Sequence, residues 1–209
     1  MRAEAFLVAL DERDRSTCRH CSRVAGLSLE LGRQCALSDH DLHVLRTAAA
    51  FHDVGKIGIP DAVLMKVTPF TTDDWAVMKG HSAKSQRIIL AAGLDDGDLI
   101  GLAARHHHER YDGRGYPDGL AGEAIPVMAR IIALADSYDA MARTRVYRHG
   151  WPHDRIMHAL REEEGLQYDP YLCTKFATLI EHSAFKTRRA LDESPDTALH
   201  DRAASAPGH

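Results

Sequence analysis

Residues His106–Leu120 read HHHERYDGRGYPDGL. Three consecutive histidines run into a segment holding Gly113, Gly115, Pro117 and Gly119. Apolar spacing from Leu99 to His107 predicts a helix, and the glycines and proline predict that it stops there and becomes a loop. Inside a regular helix two adjacent side chains diverge. At a helix end they can turn to the same side, because the backbone stops being regular.

The segment FHDVGKIGIP (51–60) repeats this arrangement with His52 and Asp53, followed by Gly55 and Gly58. A carboxylate placed there can bridge two cations while its neighbour binds one. Three further segments offer ligands: HCSRV with His20, KGHSAKS with His81, and ALADSYDA with Asp136 and Asp139. His20, His52, Asp53, His81, His107, His108 and Asp136 make a set of five imidazoles and two carboxylates. Such a donor set suits iron, manganese, nickel or zinc rather than calcium. Two divalent cations against two carboxylates leave the site positive, more so with Lys56, and a positive site attracts phosphate.

The rest of the chain carries no such attraction. Its formal charge is −4, which speaks against general binding to DNA, RNA or a membrane surface. No apolar run approaches a membrane span, and the start MRAEAFLVALDERDRS lacks the apolar stretch of a secretory signal. The expected compartment is the cytoplasm. Cys18, Cys21, Cys35 and Cys173 form no disulfide framework; Cys18 and Cys21 make a single CxxC without a second pair, and read as small residues on a helix.

Helical signals dominate. Val24, Leu27, Leu31 and Cys35 keep an apolar face; Ser38 with Asp41 predicts a capped helix running toward His52; Thr72 is the expected cap of the next. Ile88, Ile89 and Leu90 belong to a helix ending near Gly93, and Pro126, Pro152 and Pro170 open three more. No segment sustains strand alternation, so an all-α chain is expected. Residues 1–13 read as a lead-in helix or linker, 14–185 as one globular helical domain around a metal centre, and 186–209 as a disordered tail.

The ordered set HDVGKIGIP, MKGHS, HHERYDGRGYPDGL, ARIIALADSYDAMA, RVYR and YDP resembles the HD-GYP family, a branch of the HD-domain metal-dependent phosphohydrolases. The resemblance covers residues 13–176. It implies an all-helical bundle, a di- or trinuclear metal centre, and hydrolysis of cyclic di-GMP to linear pGpG and GMP by attack of a metal-bridging water. It places metal ligands at the seven positions named above, with Asp53 bridging and His106 outside the set. Lys56 would face the reaction centre, Tyr116 would border the substrate, and Arg145 and Arg148 would hold phosphate or base edges. The lesser alternative for RTRVYR (143–148) is a solvated basic face. Family members also contact signalling proteins of the GGDEF type.

Three departures qualify the resemblance. The stretch LMKVTPFTTDDW (64–75) lacks the usual Pro-Gly, Ser85 stands where glycine is usual, and Ser16 stands where trinuclear members carry a glutamate. Ser16 is neutral and short, so two divalent ions, iron or manganese, are expected rather than three. The alternatives left open are a phosphohydrolase of another cyclic dinucleotide or nucleotide, and a module signalling through protein contacts.

Overall fold

The structure, a computed structural model, describes residues 15–143 and 150–187 together with the isolated positions 8 and 12. All but the first two residues of the expected tail 186–209, most of the lead-in, and the segment carrying Arg145 and Arg148 lie outside the described residues. Among the described residues there are nine α-helices, two short 3-10 helices and no strand; one isolated bridge joins Glu164 and Tyr168. The helices are α1 (Arg15–Gln34), α2 (Asp39–Phe51), α3 (Asp61–Leu64), α4 (Thr72–Lys79), α5 (His81–Ala92), α6 (Gly97–His106), α7 (Val127–Ala142), α8 (His153–Glu162) and α9 (Pro170–Ile180). None of them is long and apolar enough to cross a membrane.

Helix boundaries follow local chemistry. Ser38 caps α2 by accepting from the Asp41 amide. The cap of α4 is Thr71 rather than Thr72: its hydroxyl accepts from the Asp74 amide while the Asp74 carboxylate takes the Thr71 amide. Thr71 wins because it has that acidic partner three residues on, which completes a reciprocal pair. Gly93 ends α5 in the left-handed region, and Asp169 caps α9 with Pro170 at its first turn.

α1 packs on α2 and α7, α2 and α7 pack on α6, and α6 packs on α5. The core holds Leu27 and Leu31 of α1, Val44 and Leu45 of α2, Ile100 of α6 and Ile131, Ile132 and Tyr138 of α7, each at most 1% exposed. Each such side chain contributes on the order of 1.5–3 kcal/mol by leaving water. Ala48, Ala49, Ala103, Ala104 and Ala135 are also fully buried. These small residues let the helices that carry the histidines approach one another closely.

Candidate metal centre

Four of the seven expected ligands sit at or just beyond helix ends. His52 caps the C-terminus of α2, His81 opens α5, and His107 caps the C-terminus of α6 with His108 after it. The remaining turn, Val54–Gly58, is a 3-10 helix that follows Asp53. Gly55 in it does not have a left-handed backbone. A Cβ there would lie 2.0 Å from the His81 carbonyl oxygen and 2.5 Å from the Ser85 amide nitrogen. Glycine is needed for close approach to α5, not for conformational freedom.

One device orients three of the rings. His52 Nδ1 is 2.7 Å from the Ala49 carbonyl, His81 Nδ1 is 2.7 Å from that of Met78, and His107 Nδ1 is 2.7 Å from that of Ala104. A carbonyl can only accept, so each Nδ1 carries the proton and donates it. Each neutral ring then presents its Nε2 lone pair. His81 Nε2 lies 3.5 Å from His107 Nε2 and 3.2 Å from His108 Nε2. Nitrogens around one tetrahedral cation stand about 3.4 Å apart. The lone pairs of His81 and His107 thus face one another, an arrangement that a cation among these nitrogens would stabilise.

Burial pushes all three rings of this trio toward the neutral form: His107 far below its usual range, His81 below it, and His108 to about 3. A second trio comprises His20, His52 and Asp136, whose ligand atoms lie within 4.8 Å of one another. His20 Nε2 is 2.8 Å from Asp136 Oδ1. Burial disfavours the His20 cation, but the carboxylates of Asp136 and Asp139 outweigh it and raise its pKa to about 9. A cation at this trio would displace that proton.

Asp53 stands between the two trios. Its Oδ1 is 3.3 Å from His81 Nε2, and its Oδ2 is 3.5 Å from His52 Nε2 and 2.5 Å from Lys56 Nζ. Burial works against its charge, yet Lys56 and the surrounding histidines hold it ionised well below the usual range. His52 is fully buried, and its Nε2 has no hydrogen-bond partner. A buried polar atom without a partner is costly. The residues therefore fit a centre of divalent cations: lone pairs converge, a carboxylate lies between, and one nitrogen lacks any other use.

The glycine-rich loop is tied back by Glu109. Its carboxylate accepts from the amides of Asp118 at 2.7 Å, Gly119 at 3.1 Å and Leu120 at 3.1 Å. His106 Nε2 lies 2.7 Å from Asp118 Oδ2, and Arg105 grips the same carboxylate. His106 therefore braces the loop. A Cβ on Gly115 would fall 2.3 Å from the Arg110 amide nitrogen, so the loop can close over Glu109 only with glycine there. The closure stacks Tyr116 on His108, with centroids 4.8 Å apart and planes at 28°. Burial, with the nearby Asp53 and Asp136, raises the Tyr116 pKa, so its hydroxyl keeps its proton. A cavity of about 260 Å³ lies against His107, His108 and Asp136, walled by Tyr116, Lys79 and Arg114.

Two residues outside the assigned set also serve the site. Asp139 accepts from His20 Nδ1 at 2.6 Å and from Arg23 at 2.6 and 3.0 Å, so it fixes the ring whose Nε2 faces Asp136. Its signal was present as the second carboxylate of ALADSYDA; its partner, 119 positions away, was not. Ser85 donates to the His52 carbonyl at 2.7 Å and accepts from the Gly55 amide at 2.8 Å, pinning the turn that carries Asp53 and Lys56. Of the expected substrate contacts, Tyr116 reaches the cavity, while Arg145 and Arg148 lie outside the described residues.

A family model described as HD domain matches residues 6–172. The cyclic di-GMP phosphodiesterase response regulator RpfG of Xanthomonas campestris is 39% identical over 162 residues, 78% of this chain and 43% of its own length. A cyclic di-GMP phosphodiesterase of Thermotoga maritima is 35% identical over 181 residues, 87% of this chain and 49% of its own. A 3'3'-cGAMP-specific phosphodiesterase of Vibrio cholerae is 33% identical over 174 residues, 83% of this chain and 33% of its own. The chain thus spans less than half the length of these relatives. The HDG"Y"P protein Bd1817 of Bdellovibrio bacteriovorus shares the fold, with a TM-score of 0.65 at 18% identity over 80% of this chain and 53% of that one. With its helical bundle, its two convergent trios of histidine and aspartate and a family match over most of its length, the chain belongs to the HD domain family.

Proposed function

We propose that the chain is a metal-dependent phosphodiesterase that hydrolyses cyclic di-GMP to linear pGpG, with GMP as the further product. The observation that carries this reading is the fully buried, unpartnered Nε2 of His52, a member of one of two convergent trios. His20, His52, Asp53, His81, His107, His108 and Asp136 would hold two divalent ions, iron or manganese. When bound, the ions supply Lewis acidity and lower the pKa of water.

The chain's own residues do the rest. Lys56 remains a cation because Asp53 outweighs its burial, and it shares the negative charge that grows on the phosphoryl oxygens. Tyr116 donates its hydroxyl proton as a hydrogen bond into the cavity. Lys79 lies 5.3 Å from the Tyr116 ring and adds positive charge at the same wall. Arg145 and Arg148 would grip phosphate or guanine edges in bidentate fashion. Contact with GGDEF-type signalling proteins accompanies this reading.

The cGAMP-specific relative favours one second reading, in which another cyclic dinucleotide is the substrate. Anaerobic metal-loaded protein should turn over cyclic di-GMP with a kcat/KM at least about tenfold above that for 3'3'-cGAMP, a difference of about 1.4 kcal/mol in barrier. The reverse order would establish the second reading. Hydrolysis of neither would leave the protein-contact module.

A further inference from the structure

Cys21 follows His20 on α1 and is 2% exposed. Its sulfur forms a third group with a ring nitrogen of His52 and a carboxylate oxygen of Asp53, all within 4.8 Å of one another. His52 is thus shared between this group and the trio with His20 and Asp136, and its Nε2 is the buried nitrogen without a partner. Donors on one tetrahedral cation, sulfur at about 2.3 Å and nitrogen at about 2.0 Å, stand about 3.5 Å apart. Cys173, by contrast, is buried in the apolar core, where a thiol is inert.

We propose that Cys21 supplies a thiolate donor to the cation held by His52 and Asp53, so that this position prefers iron, zinc or cobalt over manganese. The S–H bond breaks, its electron pair forms the sulfur–metal bond, and the proton leaves to solvent; no electron is transferred. A soft donor among imidazoles and a carboxylate shifts selectivity toward thiophilic ions. The inference rests on the metal-centre reading above, and its test separates the two.

The full chain, stripped with a chelator, is reconstituted anaerobically with cobalt(II) and its absorption recorded. Wild type should show visible ligand-field bands and a near-ultraviolet thiolate-to-cobalt charge-transfer band. Cys21→Ser should keep the former, lose the latter, and bind cobalt at least about tenfold more weakly while manganese affinity changes by less than about twofold. Ligand-field bands without charge transfer in wild type would overturn the Cys21 assignment alone, as would a charge-transfer band that survives in Cys21→Ser. Absence of any cobalt signal would overturn the metal centre as well. If Cys21→Ser does not fold, the triple variant C18S/C35S/C173S decides: it must retain the band, and its loss overturns the assignment.

Discussion

The Asp53 carboxylate is shared unequally with Lys56: Oδ2 lies 2.5 Å from the lysine Nζ, while Oδ1 faces His81 Nε2 at 3.3 Å. One oxygen is tied to the only described cation on the same turn, and the other is left for the histidine trio. Asp53→Ala should therefore lose bound metal and hydrolysis together. The fold should persist, because the Lys56 side chain is about a quarter exposed and can turn to water. Circular dichroism checks the fold and elemental analysis the metal. Turnover above about a tenth of wild type, or 1.4 kcal/mol of barrier, would show that Asp53 has been misassigned.

Asp139→Asn keeps an oxygen for His20 Nδ1 but removes the charge that it shares with Arg23. Partners that orient a ligand ring typically govern about 10–100-fold of metal affinity. We expect a loss in that range, read by metal titration, with secondary structure unchanged. Wild-type affinity would make Asp139 a partner of Arg23 alone.

Ser85→Ala removes a hydroxyl that is completely buried and serves both the His52 carbonyl and the Gly55 amide. Leaving those groups unsatisfied should cost about 1–3 kcal/mol. Chemical denaturation of the metal-free protein measures this without involving catalysis. An unchanged unfolding midpoint would mean that the turn does not depend on this serine.

The metal-free protein should lose stability on both sides of neutrality. His108, at about 3 in the fold, takes up its proton near 6.5 once unfolded, so acid favours the unfolded chain. Its contribution is present above about 6.5 and is lost as pH falls from there toward 3; His81 and His107 act in the same direction. His20, raised to about 9, has the opposite sign: its contribution is present below about 6.5 and is lost as pH rises through 9. Denaturation of chelator-treated protein at pH 5, 7 and 9.5 should give the highest midpoint at pH 7, and a flat profile would contradict the neutral trio.

Ser16 precedes His20 by four residues, the spacing of about one helical turn. Protein reconstituted with excess iron or manganese should hold two ions per chain, and Ser16→Glu should raise the number toward three. Three ions in the wild type would overturn the count.

The donor chemistry of this protein was readable along the chain because it is local. Histidine next to aspartate before Gly55, and histidine next to histidine before a glycine loop, need no distant contact to be recognised as candidate ligands at helix ends. Ser38 and Gly93 marked helix boundaries for the same reason: a hydroxyl reaches an amide three residues on, and a left-handed turn wants glycine. Thr71 displaced Thr72 as a cap because the decision lay in which of two adjacent hydroxyls has Asp74 at the right offset. What no local pattern could decide was which ligands share a cation. Asp139 meets His20 across 119 positions and Ser85 meets His52 across 33, through the packing of α7 on α1 and of α5 on the turn after α2. Cys21 read as a small helical residue because its own spacing carries no partner; the same packing sets it beside His52 and Asp53. Residue type and spacing determine what each side chain can bind, but only close-packed helices, held together by burial of Leu27, Ile100, Ile131 and their neighbours, determine which of them meet.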